Sequence, residues 1–119
     1  MSLETISDYD LGWVVGMIEG EGTFVVKERQ VNIRVSQIEA DRLNLEKLMN
    51  VLGMGYINGP YQYADHPRNP MLMWTVGDYV NCYKLLTRIY SLLSPRRQAQ
   101  ASQAIEFLKG KKKVYEISD

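Results

Sequence analysis

Glycines recur every fourth residue at Gly12, Gly16 and Gly20, inside a stretch whose other positions read as a helix, and the carboxylates of Glu19 and Glu21 arrive where that pattern ends. Glycine inside a helix costs about 1 kcal/mol relative to alanine, so three in one helix need a reason. Residues four apart share a helix face, and a row without side chains lets a second helix approach nearly to backbone contact. Ser7 or Asp8 can cap the start, further acids suit the positive end of the dipole, and Leu11, Val14, Val15 and Ile18 supply an apolar stripe. Gly20 and Gly22 bracket Glu21 and let the chain leave the helix in whatever backbone geometry is needed. A carboxylate at the C-terminal end of a helix opposes the dipole, so the placement of Glu21 is better explained by a cation than by folding. The apolar run is far shorter than the roughly 20 residues a bilayer requires, which argues against a membrane helix pair.

Beyond residue 22 the pattern predicts two strands, a helix, two strands and two C-terminal helices. Thr23 to Arg29 and Val31 to Ile38 alternate polar and apolar residues around a tight polar turn, as a hairpin with one buried face does. Phe24 and Val26 point one way and Thr23, Val25, Lys27 and Arg29 the other; in the second strand Val31, Ile33 and Val35 oppose Asn32, Arg34 and Ser36. Lys27, Arg29, Asn32 and Arg34 on one open face give donors at strand spacing. A two-stranded ribbon enters a major groove, where Arg or Asn pairs bidentately with guanine or adenine edges. A face that is merely wet is the ordinary outcome for an antiparallel sheet.

Asp41 to Leu52 reads as an amphipathic helix through Leu45, Leu48, Met49 and Leu52, closed by Gly53, whose apolar face covers the back of the sheet. The next hairpin, Tyr56 to Tyr63 and Met71 to Val76, is interrupted by a Pro-bounded loop from Ala64 to Pro70. His66 in that loop reads as a surface residue, while Arg68 is a candidate phosphate contact, and Asn58 and Tyr61 join the candidate nucleic-acid contacts. Tyr56, Tyr61, Tyr63 and Trp74 are either a stacking surface for single strands or filling for core and sheet faces. Asp78 to Leu93 is a long packed helix, and Pro95 opens a last helix through Lys109, which puts Arg96 and Arg97 at a positive helix end where phosphates bind readily.

With 119 residues and 45% hydrophobic content, the chain suits one domain spanning 1–119, its core near 8–109 and a basic tail over 110–119. One cysteine, Cys82, excludes an internal disulfide framework and reads as helix packing. The start has no basic segment followed by an apolar one, so an intracellular protein with no membrane partner is expected. The 14 basic and 14 acidic residues are segregated. Residues 1–21 carry Glu4, Asp8, Asp10, Glu19 and Glu21 with no Lys or Arg, whereas 84–113 carry Lys84, Arg88, Arg96, Arg97, Lys109, Lys111, Lys112 and Lys113 against Glu106 alone. Such asymmetry permits a basic face beside an acidic site; the alternative is a solvated helix with a basic tail.

The chain from Val14 to Gly22, VVGMIEGEG, resembles the signature of the LAGLIDADG homing endonucleases in its glycine, apolar and acidic positions. The resemblance continues through Arg34 to Gln37, the helix ending at Gly53, Gly55 to Ile57, and Arg97 to Ala101, covering roughly residues 8–109 in the order of single-motif members. The departures are Glu for the usual Asp at both acidic positions, Arg97 where a lysine is common, and an overall charge near zero.

This resemblance implies an α+β, αββαββα domain with an antiparallel DNA-binding sheet, helices packed on its back and a further C-terminal helix. It implies an intron-encoded, site-specific, metal-dependent DNA endonuclease, a homodimer that hydrolyses both strands of a near-palindromic duplex and leaves short 3′ overhangs. Glu21 is then the metal ligand with the Gly20 carbonyl assisting, Gln37 and Arg97 serve catalysis, and Glu19 is structural. Mg²⁺ is the expected cofactor, with Mn²⁺ able to replace it and Ca²⁺ binding without supporting cleavage. Gly12, Trp13, Gly16, Met17 and Gly20 form the dimer interface, while Arg96, Lys111, Lys112 and Lys113 join the sheet residues in contacting DNA. The alternative within the same fold is a non-cleaving regulator or intron maturase, with RNA a less favoured partner than duplex DNA. A plain dimerisation module accounts for the glycines but leaves Glu21 and the polar sheet face unexplained.

Overall fold

The computed structural model describes residues 2–63, 66–111 and 113–114. Helix α1 spans Asp8–Glu21; Ser7 Oγ accepts the Asp10 N–H at 3.1 Å, and the helix buries Leu11, Val14 and Ile18. The helix runs past Gly20 to Glu21, and Gly22 leaves it as ordinary extended backbone (φ −83°, ψ 155°). Close approach, and not a left-handed turn, therefore explains Gly22: a Cβ there would lie 2.4 Å from the Ile18 carbonyl oxygen.

Strands β1 (Gly22–Lys27) and β2 (Gln30–Ile38) form the expected hairpin. Arg29 lies in the turn and not at the end of β1, because pairing closes at Lys27 opposite Gln30. After a 3-10 turn over Glu39–Asp41, helix α2 (Arg42–Leu52) buries Leu45, Leu48, Val51 and Leu52. Strands β3 (Tyr56–Tyr63) and β4 (His66–Val76) follow, and all neighbours in the order β1-β2-β4-β3 are antiparallel. The loop expected from Ala64 to Pro70 is corrected from His66 onward, where the chain is already strand. Pairing of β4 with β2 ends at Met71 opposite Ile38, so Pro67 and Pro70 lie on a stretch where no β2 carbonyl requires their missing N–H.

Helix α3 covers Tyr79–Ile89 with Asp78 as its cap, and the long helix expected to Leu93 gives way to a 3-10 turn over Tyr90–Leu92. Helix α4 (Pro95–Lys109) starts at the expected proline behind the Ser94 cap. The helices bury the sheet face carrying Ile33, Val35, Leu72, Trp74 and Val76, all at most 1% exposed. Trp74 anchors this layer: its indole N–H donates to the Met54 carbonyl at 3.1 Å. Gly55 (φ +87°) lets β3 begin over that indole, where a Cβ would sit 2.4 Å from its nitrogen. Cys82 is buried with its thiol directed at the Val31 and Val76 carbonyls, and burial together with the Asp78 charge pushes its pKa up to about 12, as packing requires and a nucleophile does not.

Candidate nucleic-acid interface and acidic corner

Strand register decides what shares the open face. Thr23 sits opposite Arg34, Val25 opposite Asn32 and Lys27 opposite Gln30; Arg34 and Ser36 in turn face Thr75 and Met73, and these meet Tyr56 and Asn58 of β3. The face holds a hollow of about 380 Å³ lined by Gln30, Asn32, Arg34, Tyr56, Asn58, Tyr61, Met73 and Thr75. Tyr56 and Tyr61 stand exposed here, whereas Trp74, also considered for stacking, belongs to the core. Gln30, which shares the parity of Asn32 and Arg34, and Met73 and Thr75, which stand opposite Ser36 and Arg34, are further members of this face; the parity of β2 points to Gln30, whereas Met73 and Thr75 follow only from the pairing of β2 with β4. Among the described residues no carboxylate pairs with Arg34, and its Nε is buried without a hydrogen-bond partner. An arginine in a polar hollow with no partner among the described residues has donors available for an outside acceptor.

The acidic corner lies where α1 meets β1. Glu21 is exposed and pairs with no cation among the described residues. Glu19, one residue from the same turn, is engaged: its Oε1 accepts the Ser94 N–H at 2.5 Å. That hydrogen bond holds its carboxyl below the usual value against the opposing effect of desolvation. Arg97 is only 7% exposed. Its Nη2 donates to the carbonyls of Gly22 (2.6 Å) and Glu19 (3.2 Å), its Nη1 to Gln100 Oε1 (3.0 Å), and the guanidinium lies 5.4 Å from the Phe24 ring centre. Burial pushes its pKa down, with the Arg96 charge acting the same way and Glu19 against both.

The start of α4 therefore already has acceptors. Ser94 Oγ takes the Arg97 N–H and the Glu19 carboxylate takes the Ser94 N–H, so two of the N–H groups at this helix end have acceptors within the chain; Arg96 is exposed beside them. Gln37 has the parity of Val35 and lies opposite Leu72, away from the open face; its amide donates to the Ser36 carbonyl and accepts from Asn44. Because Val35 pairs with Gly22, Gln37 lies two residues past the first residue of β1, level with the end of α1. Among the described residues no three of His, Cys, Asp and Glu cluster to hold a metal. One carboxylate and one carbonyl per chain suit a cation that keeps most of its waters, as Mg²⁺ does, and not an all-protein cage.

The glycine face of α1 is open. A Cβ at Gly12, Gly16 or Gly20 would meet nothing within 4 Å. Trp13 and Met17 beside it are half-buried against the core, with Lys47 placed over the Trp13 ring (4.4 Å) and bridged to Asp10 (3.7 Å). Several cations of the basic C-terminal stretch have neighbours within the chain. Lys84 pairs with Glu4, Lys109 with Glu106, and Lys111 lies over the rings of Phe107 (4.5 Å) and Tyr79 (5.5 Å). Lys113 borders the hollow lined by Gly77, Asp78 and Tyr79; Lys112 and the side chains of His66 and Arg68 fall outside the described residues.

No protein-family model and no curated protein matches the sequence. Solved structures do match. The homing endonuclease I-CvuI in complex with its target superposes with a TM-score of 0.67 at 19% identity, over 87% of this chain and 69% of that one. The archaeal intron-encoded homing endonuclease I-Vdi141I complexed with DNA gives 0.67 at 23% identity, again over 87% and 69%. The LAGLIDADG meganuclease I-AabMI bound to uncleaved DNA gives 0.69 at 19% identity, over 82% of this chain and 35% of that one. The chain has the α+β fold of the LAGLIDADG homing endonucleases. It spans most of the two shorter relatives and about a third of the longer one.

Proposed function

We propose that the protein is a metal-dependent, site-specific DNA endonuclease that acts as a homodimer. The observation that carries this reading is the position of Glu21: an exposed carboxylate, unpaired among the described residues, at the end of a helix whose glycine face is open, beside a sheet face whose Arg34 has no partner among those residues either. Two copies joined along Gly12, Gly16 and Gly20 would bring two Glu21 carboxylates together, with the open sheets of both copies extending along one duplex. Glu21 and the Gly20 carbonyl would hold the divalent cation, Mg²⁺ in the first place with Mn²⁺ as a substitute. When bound, that cation supplies activation of water and stabilisation of charge at the phosphate.

The remaining tasks fall to the chain itself. Thr23, Val25, Lys27, Asn32, Arg34, Ser36, Asn58 and Tyr61 contact the duplex, with Arg34 and Asn32 suited to base edges and Lys27 to phosphate. Arg29 at the hairpin tip and Arg96 beside the acidic corner add backbone contacts, and Gln37 serves catalysis as the family resemblance implies. A two-fold protein implies a near-palindromic target, cut on both strands across the minor groove to leave short 3′ overhangs. Among the described residues no helix is long and apolar enough to cross a membrane, and an intracellular site of action accords with a DNA substrate.

Cleavage of a library of duplex targets with and without Mg²⁺ tests the reading. Glu21→Gln keeps the side-chain shape but loses the charge that holds the ion, so cutting is abolished while duplex binding survives. Undiminished cutting by this variant refutes the assignment. Salt-dependent duplex binding by the wild type without cutting at any divalent ion would point instead to a non-cleaving binder of the same fold.

A further inference from the structure

An α-helix ends with carbonyls that lack intrahelical partners. In α1 the Gly22 N–H takes the Ile18 carbonyl, and Arg97 Nη2 takes those of Glu19 and Gly22. The two carbonyls that it skips belong to Gly20 and Glu21. A second tie joins the same helices, from the Ser94 N–H to the Glu19 carboxylate. Each nitrogen of Arg97 is engaged or buried: Nη2 on two carbonyls, Nη1 on Gln100, and Nε buried without a partner among the described residues. Of its five N–H donors three serve the chain itself, and apart from the buried Nε only the second on Nη1 is uncommitted, on a side chain 7% exposed. What it controls is the direction in which the skipped residues point.

We propose that Arg97 is a positioning residue. It fixes the backbone on both sides of Gly20 and Glu21, so that the Gly20 carbonyl and the Glu21 carboxylate present their oxygens to the same point, and it thereby sets the affinity of the corner for a divalent cation. Planarity is what the task demands: one fork spans two carbonyls and Gln100 at once, whereas a lysine ammonium is a single point of donation. Gln100 supports the brace by holding the second arm. The proposal rests on the metal site proposed for Glu21 and Gly20.

The test separates metal affinity from duplex affinity. Mn²⁺ is titrated into the protein bound to a duplex selected for binding from a random library, and the free ion is followed by its paramagnetic resonance signal. Removing a group that orients a metal ligand weakens metal binding by roughly 10–100-fold. Arg97→Ala is expected to fall in that range with duplex affinity unchanged, Arg97→Lys to restore only part of the loss, and Gln100→Leu to lie between wild type and Arg97→Ala. Wild-type Mn²⁺ affinity in Arg97→Ala, or a loss of duplex affinity without a loss of Mn²⁺ affinity, overturns the proposal. Should Arg97→Ala fail to fold by circular dichroism, Gln100→Leu decides alone, and an unchanged Mn²⁺ affinity in that variant refutes the brace. Equal Mn²⁺ binding by wild type and Glu21→Gln removes the metal site itself and this inference with it, an outcome distinct from failure of the brace alone.

Discussion

Gly16→Ala should have opposite effects on the monomer and on the dimer. A Cβ at position 16 meets nothing within 4 Å in the single chain, so the new methyl clashes with no neighbour and fills no cavity. What remains is helix propensity, and replacing an interior glycine by alanine stabilises a helix by about 1 kcal/mol. In a dimer packed along Gly12, Gly16 and Gly20, the same methyl enters the space a second backbone needs, and overpacking of this kind costs about 1–3 kcal/mol. With 1.4 kcal/mol per factor of ten, that weakens the dimer by roughly 5- to 150-fold. Sedimentation across a dilution series gives the dimer Kd, and urea unfolding at concentrations below that Kd gives monomer stability. The expected result is a higher unfolding midpoint together with weaker association, with Gly16→Leu amplifying the loss of the dimer and abolishing cleavage. A less stable monomer would show that the glycine is needed inside the fold, and an unchanged Kd would show that the glycine face is not the interface.

Readout and anchoring on the open face are separable. Arg34→Ala should relax preference at particular base pairs by about 1–3 kcal/mol, whereas Lys27→Ala should weaken all sequences alike and reduce the salt slope by about one. Binding to a duplex library at several ionic strengths distinguishes them, and identical profiles for the two variants would refute base reading by the sheet. The Glu19 carboxyl is held below its ordinary value, chiefly by the Ser94 N–H. Its contribution to stability is therefore complete above that value and disappears as pH falls through the lower folded value. Urea midpoints taken from neutral to acidic pH should drop less steeply in Glu19→Gln than in wild type; parallel curves would show that the tie to Ser94 does not couple folding to protonation.

The local elements were legible because their causes are local. Alternation through Thr23–Ile38 sets the hairpin, spacing of Leu45, Leu48 and Leu52 sets α2, and Pro95 behind Ser94 marks the last helix. Gln37 shares the parity of Val31, Ile33 and Val35, so the same alternation carries it to the helix-covered side, where it lies opposite Leu72. The partners of Arg97 lie 75 and 78 residues away, and no window of sequence reveals that a helix-end arginine will be buried on carbonyls and not offered to a phosphate. The neighbours of the basic residues over 84–113 were equally out of reach of a charge count: Lys84 meets Glu4 from the other end of the chain, Lys109 meets Glu106, and Lys111 lies over Phe107.

Electrostatics at the end of α1 explains why Glu21 stands out once its surroundings are known. The negative end of the helix dipole, Glu19 and Glu21 lie within one turn, an arrangement that opposes folding unless positive charge or N–H groups compensate it. Compensation exists but is selective. Arg97 meets the backbone carbonyls of Glu19 and Gly22, and the Ser94 N–H meets the Glu19 carboxylate, so Glu19 and Gly22 are balanced from α4 and its cap, while the Glu21 carboxylate has no cation among the described residues. A structural acid would have been paired or replaced at no cost to the fold. It is left exposed beside an open glycine face; in the proposed dimer its charge would be doubled, not relieved, and a divalent cation shared with phosphate is the partner that would balance it.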